Sequence, residues 1–402
     1  SVTPPPVENP DQKAAQVVTD QINALGEITY AKKSEVQAAR TAYKRLTKSQ
    51  KAYVTEDTLK ILTDAEAKIK ELRPAMGTIT IDVERFTISQ GYFKEPVNVT
   101  FYDGETGMDI LKRVIGEENF MGSQGYLSAI KGANLGTDQV KIPDYIVSVL
   151  EGPDTAAAKE DNNQKYGDQT TLGEFSYSPQ SGWYYFVNNE AMNYGMDNYE
   201  PKQDDVMRVQ FTYWGLGSDL SGTLYGDSEQ TVKIANKDSI TKALAAVNSA
   251  DNKDALLADA KVQAAYTLAK ETASNMTADQ ITTDETAKAL NDAVSGFGKA
   301  PSVYFEYEDG RIQEMDKDQS FTLTMSDVGK FVLKNSEATP YWKCIDDHGD
   351  SKDIWIAAYS GIYNPYSVNK TMDAVVIDDA TAYDEKPTIL ARFKIKAVPA
   401  EI

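Results

Sequence analysis

Apolar residues recur at helical spacing from Asp11 onward, with Ala14, Val17, Val18, Ile22 and Leu25 on one stripe that ends at Gly26, a residue suited to a left-handed helix C-terminus. Ser34 with Gln37, and Thr47 with Gln50, have the spacing of capping boxes, and each pair predicts the start of a further helix. A last stripe, Leu59, Leu62, Ala65 and Ile69, predicts a helix that stops before Pro74. The period then changes. Gly77 to Glu84 alternates apolar and polar residues, Val97 to Phe101 does the same, and both read as strands. Thr106 and Asp109 predict a capped helix whose apolar face is Ile110, Leu111, Val114 and Ile115. Two aromatic and β-branched runs, Gly182 to Asn189 and Val206 to Tyr213, predict strands joined by a connection rich in Gly, Asn, Asp and Pro. Between Gly116 and Ser181 the chain reads as a long insert around one strand, Tyr145 to Leu150, with an irregular or lid-like run from Ala156 to Lys165.

Helical spacing returns between Lys237 and Phe297, where Ile240, Leu244 and Val247, then Leu256, Leu257, Ala260 and Ala264, and finally Leu290 and Val294 mark apolar stripes. From Pro301 the pattern is β again: Val303–Tyr307, Phe321–Met325, Phe331–Leu333, Ile354–Ala357, Val375–Ile377 and Ile389–Ile395 are short strands separated by Gly, Asp and Asn. Such spacing predicts an immunoglobulin-like β-sandwich, without the Cys and Trp hallmark of antibody domains.

The Gly182-Trp183…Val187-Asn188 strand, the Gly195…Tyr199-Glu200-Pro201 turn and Asp204-Asp205 followed by Val209 and Phe211 together resemble the small domain that ends the transcobalamin and intrinsic-factor proteins. The match runs from about Met76 to Leu220. The first helical region, with Ile22-x-x-Leu25-Gly26, Ala39-Arg40-x-Ala42-Tyr43 and Leu46-Thr47, is similar to a helical module of surface proteins from clostridia-like bacteria. The resemblance implies a Gram-positive cell-surface protein, and a corrinoid as one conceivable ligand. The expected fold class is multi-domain α and β: a linker at 1–10, a helical bundle at 11–74, a transcobalamin C-terminal-like α+β domain at 75–222, a second helical bundle at 236–298 and an immunoglobulin-like β-sandwich at 301–402.

Charge narrows the partners. With 41 basic and 61 acidic residues the formal charge is −20, which disfavours nucleic acid and anionic lipid surfaces. The single cysteine, Cys344, rules out an intramolecular disulfide, and no stretch has the length of a membrane span. If the protein is exported, this numbering begins after the signal, and a wall anchor would lie beyond the sequence read here. Catalytic chemistry is sparse. The lone histidine, His348, could share a strand face with Cys344 and Asp346, but neither a metal centre nor a catalytic site is expected there. Asp316, Asp318, Asp251 and Asp254 lack the remainder of a calcium loop, and no phosphate-binding glycine motif is present.

What remains is aromatic: Trp183, Tyr184, Tyr185, Phe186, Tyr194, Tyr199, Tyr213 and Trp214. Alternate strand positions face opposite ways, so about half of these belong to the core, Trp183 among them. Asn188, Asn189, Tyr194 and Tyr199 are the candidate ligand-binding residues, the amides supplying donors and acceptors and the rings stacking area. The expectation is a non-catalytic, extracellular surface protein, monomeric, for adhesion, scaffolding or display toward a host glycan or protein. The alternative is capture of a small ligand, a corrinoid or a glycan. A wall-associated hydrolase component comes third.

Overall fold

The computed structural model describes residues 9–149, 168–224, 232–345, 354–365 and 369–400. Two compact units result, one comprising Ser1–Ala250 with Lys270–Asp284 and the other Asp251–Ala269 with Glu285–Ile402.

The first unit opens with α1 (Pro10–Asn23), α2 (Lys33–Arg45), the single turn α3 (Lys48–Lys51) and α4 (Glu56–Glu71). Asn9 caps α1 by accepting from the Asp11 amide, and Pro10 sits in the first turn, where its missing N–H costs nothing. The Thr47 and Gln50 box closes around α3. The Ser34 and Gln37 pair does not cap, because α2 continues from a 3-10 turn at Tyr30–Lys32 and starts one residue before Ser34. Val18, Ile22, Val36, Ala39, Leu62 and Ala65 are buried together between these helices.

After them come β1 (Ala75–Glu84), β2 (Tyr92–Tyr102), α5 (Gly107–Ile115), β3 (Phe120–Ser123), β4 (Tyr126–Ile130), α6 (Asp144–Val149), β5 (Leu172–Gly173), β6 (Gly182–Val187), β7 (Glu190–Ala191), β8 (Val206–Thr212) and α7 (Asp238–Asn248). Five strands form the main sheet in the order β2-β1-β8-β6-β7, and β3, β4 and β5 form a small one. The β1 and β8 strands are parallel, and a parallel pair demands a crossover connection. The Thr106 and Asp109 box forms as expected at the start of α5, whose Ile110, Leu111 and Ile115 are buried in the main core.

The second unit includes α8 (Lys253–Ala258) and the early part of α9 (Ala260–Ser274), most of α10 (Gln280–Gly296), and then β9 (Ser302–Tyr307), β10 (Ile312–Glu314), β11 (Ser320–Thr324), β12 (Gly329–Lys334), β13 (Pro340–Ile345), β14 (Ile354–Ile356), β15 (Tyr363–Pro365), β16 (Lys370–Asp378) and β17 (Ile389–Val398). Its core is aromatic. Phe331 packs against Phe305 at 5.0 Å and against Phe393 at 5.0 Å between ring centroids.

These observations correct the expected fold class. The described residues hold ten α-helices and several small sheets, 37% helix and 28% strand, with no clear helical bundle, so an arrangement of bundles flanking a central domain is not what the chain forms. The reason shows in α7. Its apolar stripe of Ile240, Leu244 and Val247 is buried, and the helix packs on β1, β2 and β8 of the main sheet, not in a bundle of its own. The β segments expected as an immunoglobulin-like sandwich share one core, with Phe305, Phe331, Trp342 and Phe393 among its residues. The β segments of the second unit divide into sheets of three, four and two strands, and β11 pairs with β17 in parallel. Tyr145 to Leu150, expected as a strand, is helical as far as α6 extends, because Pro143 precedes it and its carbonyl accepts from the Ile146 and Val147 amides. The expected lid-like run Ala156 to Lys165 lies outside the described residues.

Candidate functional site

One cleft gathers three exposed aromatic residues of the first unit, Tyr126, Phe175 and Tyr194. It has a volume of about 570 Å³ and is walled by Tyr126, Glu174, Phe175, Trp183, Tyr194 and Leu216, among others. Tyr126 is 53% exposed, Phe175 52%, Tyr194 44% and Leu216 62%, so four large apolar side chains face solvent around one concavity. They come from four separate segments, held by hydrogen bonds within and between them.

Tyr126 follows a two-residue turn, Gln124-Gly125, between β3 and β4, in which both residues have positive φ. Glycine is required at 125, since a Cβ there would collide with the Asp197 carboxylate, and the Gly125 carbonyl accepts from the Met196 amide at 3.0 Å. The Tyr126 hydroxyl donates to Glu174 Oε2 at 2.6 Å, which fixes the wall between the two segments.

Glu174 and Phe175 belong to a tightly wound segment that ends at Ser181. Its buried serines satisfy its own backbone: Ser176 Oγ accepts from the Gly173 amide, and Ser181 Oγ donates to the Ser176 carbonyl at 2.6 Å. Phe175 has φ of 66°. A bulky side chain in the left-handed region is uncommon and costs about 1–3 kcal/mol, and here it points the ring outward.

Leu216 repeats that feature, with φ of 53°. Its loop is tied to the buried Asp219, whose Oδ2 accepts from the Tyr213 and Trp214 amides at 2.9 and 3.0 Å while Oδ1 accepts from the Thr212 hydroxyl at 2.5 Å. Burial pushes the Asp219 carboxyl up to about 6, against the opposing pull of these donors.

Tyr194 is held from below. The Tyr185 hydroxyl donates to the Tyr194 carbonyl at 2.6 Å, and burial raises the Tyr185 phenol well above its ordinary value. Trp183 lies in the cleft floor, with Nε1 donating to the Leu172 carbonyl at 2.9 Å and its ring edge-on to Phe211 at 5.2 Å. It is a core residue, as its strand position implies.

Of the four candidate residues, Tyr194 alone lines this cleft. Asn188 and Asn189, with φ of 51° and 67°, are the two central residues of the tight hairpin between β6 and β7, where asparagine tolerates the left-handed backbone. The Asn188 side chain donates to Asp205 Oδ1 at 2.7 Å and accepts from the Val206 amide. Tyr199 is 4% exposed and its hydroxyl donates to Asp205 Oδ2 at 2.7 Å, so Asp205 clamps both residues. Sequence reasoning missed Tyr126, Glu174, Phe175 and Leu216. Gln124-Gly125 and the serine-rich run 176–181 carry loop-forming residues, but nothing in them points to a common cleft.

A second polar cluster lies on the opposite face of the sheet and is enclosed. Arg208 Nε and Nη2 donate to the two Glu84 oxygens at 2.8 and 3.1 Å, and Nη1 donates to Ser221 Oγ at 3.0 Å. Asp82 is buried beside them. Desolvation first, and then the Glu84 charge, raise its carboxyl well above its ordinary value. Lys237, also buried, donates to the Thr272 and Asn275 carbonyls at 3.0 Å each, and desolvation pushes its ammonium down to about 8. Thr241 of α7 lies 3.5 Å from Asp82 and Asp238 lies 3.8 Å from Arg208, so this buried cluster positions α7 on the sheet.

Among the described residues, no group of three His, Cys, Asp or Glu side chains could hold a metal ion. Cys344 lies in β13 with its thiol pushed up to about 11 by burial, while Asp346 and His348 lie outside the described residues. Among the described residues, no helix is long and apolar enough to cross a membrane.

The fold and cleft therefore define a mixed helix-and-sheet protein with an open cleft lined by exposed aromatic side chains. No family model matches the chain, and no curated protein shows significant similarity to it.

Proposed function

We propose that this chain is a non-catalytic extracellular binding protein that takes up a saccharide in the aromatic cleft. The observation that carries the reading is the gathering of four exposed apolar side chains on one concavity, with Phe175 and Leu216 both retained in the left-handed backbone region. Strain of that kind persists where the surrounding structure over-determines it and a function uses it. Flat aromatic faces offer stacking area to sugar rings, and the amides and carboxylate of the wall offer hydrogen bonds. Display at a cell surface, suggested by the likeness to surface modules, gives such a cleft access to glycans.

The test is calorimetric titration of the whole chain with a panel of neutral oligosaccharides, with cyanocobalamin as the corrinoid arm. Tyr194→Ala and Phe175→Gly are each expected to weaken saccharide binding by about 1–2 kcal/mol. Phe175→Gly should at the same time raise the melting temperature, since glycine accepts the positive φ without strain. A Phe175→Gly protein that binds like the parent would sink the cleft reading, and tight binding of the corrinoid alone would replace the saccharide.

A further inference from the structure

The first helical region departs from the rest of the chain in charge. Between Asp11 and Pro74 stand 12 basic and 9 acidic residues, an excess of positive charge in a protein whose total is −20. Part of that excess gathers in one groove of the first unit, with a volume of about 770 Å³, between α2, the end of α4 and the turn that follows β2. Five basic side chains line it, Lys33, Arg40, Lys44, Lys70 and Arg73, against two carboxylates, Glu66 and Asp103. Among the described residues, none of those lining the aromatic cleft belongs to it.

The carboxylates brace the walls and leave the groove cationic. Glu66 accepts from Arg40 Nε and Nη2 at 2.7 Å each, which fixes the guanidinium between α2 and α4. Asp103 accepts from Lys33 Nζ at 3.0 Å and from the Tyr30 hydroxyl, which ties the start of α2 to the turn after β2. Arg73 shares the buried Glu105 with Arg113, at 3.3 and 2.9 Å, so two guanidiniums meet one carboxylate. Lys44 and Lys70 are exposed, and among the described residues neither side chain makes a hydrogen bond or an ion pair. Lys33, Arg40 and Lys44 follow one another at seven and four residues, so they recur on one face of α2 and extend about 16 Å along it.

A row of cations of that length suits a linear polymer with anionic groups at intervals, not a single small ion. Nucleic acid is the weaker match. Single strands are held by basic grooves together with open aromatic faces for the bases, whereas the ring beside this groove, Tyr102, already has the Arg73 and Arg113 guanidiniums over it at 5.6 Å each. A duplex or a membrane would spread over the acidic remainder of the chain, while a single polysaccharide chain can lie within the groove. We propose that this groove binds a linear acidic polysaccharide, with Lys44 and Lys70 meeting its uronate or sulfate groups and Arg40 held in place beside them by Glu66. The site stands apart from the aromatic cleft and does not depend on what the cleft binds.

The experiment titrates the whole chain with oligosaccharides of hyaluronan, which carry carboxylates alone, and of heparin, which carry sulfates as well, beside oligothymidylate, at moderate and at high salt. At least one acidic glycan is expected to bind at moderate salt, and less tightly as salt rises. Binding of heparin alone assigns the sulfate as the recognised group, and binding of both assigns the carboxylate. Lys44→Gln combined with Lys70→Gln should weaken that binding about tenfold, with melting curves confirming that the variant is folded. Lys317→Gln combined with Lys386→Gln, the same loss of charge at exposed positions of the second unit, should change it less than about twofold. Tyr194→Ala should leave it unchanged. Failure of both acidic glycans to bind overturns the proposal, and so does equal weakening by the two double variants, which would reduce the attraction to net charge. Oligothymidylate bound as tightly as either glycan would replace the polysaccharide with nucleic acid. A loss on Tyr194→Ala would move the acidic glycan to the cleft and overturn the groove as its site.

Discussion

The two faces of the main sheet are built from the same strands and are both buried, yet they are held by different forces. On one face Ile79, Ile81 and Val83 of β1 meet Met207, Val209 and Phe211 of β8 in the main apolar core. On the other, Thr80, Asp82 and Glu84 lie beside Arg208, Gln210 and Thr212, all of them buried. The register places Asp82 opposite Arg208 and Glu84 opposite Gln210, so one alternation produces both layers. The apolar layer is stabilised by area removed from water, which is insensitive to direction and tolerant of small changes in shape. The polar layer depends on specific pairings: Arg208 on Glu84 and Ser221, and Gln210 Nε2 on the Ser221 carbonyl at 2.7 Å. An ion pair so enclosed contributes little net stability, but removing one partner leaves a charge buried and unmatched.

The comparison can be broken most sharply at Arg208. Arg208→Leu is expected to lower the unfolding free energy by about 3–5 kcal/mol, read by chemical denaturation, because Glu84 would be left uncompensated. Ile81→Val, a deletion of one methylene from the apolar face, should cost only about 0.5–1.5 kcal/mol. If the two losses came out equal, the polar layer would be solvated in solution and the contrast between the faces would fail.

A pH series sharpens the same contrast. Asp82 and Asp219 keep protons in the folded state that the unfolded chain releases near its ordinary carboxylate value of 3.8. The contribution of these two groups therefore falls as the pH rises. For Asp219 the loss runs from about 4 to about 6 and then levels. For Asp82 it begins in the same place and continues upward, since its carboxyl stays neutral well above that range. Asp82→Asn should produce the smallest change near pH 4, where both side chains are neutral. It should flatten the decline at higher pH, measured as melting temperature against pH. A variant that declines as steeply as the parent would show that Asp82 is ionised in the fold.

Much of the local structure was legible in the sequence. The Thr47–Gln50 and Thr106–Asp109 boxes form where their spacing places them, and Gly182–Val187 and Val206–Thr212 are adjacent antiparallel strands. Caps and alternation are local signals, decided by backbone groups within a few residues. The Ser34–Gln37 box failed because the preceding turn carried the helix past it, and β3, β5 and β7 are too short to show a period.

The candidate site was barely legible. Tyr194 was identified, but Tyr126, Glu174, Phe175 and Leu216 lie scattered over some ninety positions and converge only when β4, β6 and the Asp219-anchored loop are assembled. Conversely, Tyr199 and Asn188 looked available for a ligand until Asp205 was seen to occupy both. The sequence alone determined which residues alternate across each strand and where several helices begin, because steric and capping preferences act over a few bonds. Only the tertiary structure decided that the polar face of β1 is covered, that the apolar stripe of α7 meets a sheet, and which exposed rings share a cleft. Burial depends on what a distant segment brings to cover a surface, and no local pattern encodes its arrival.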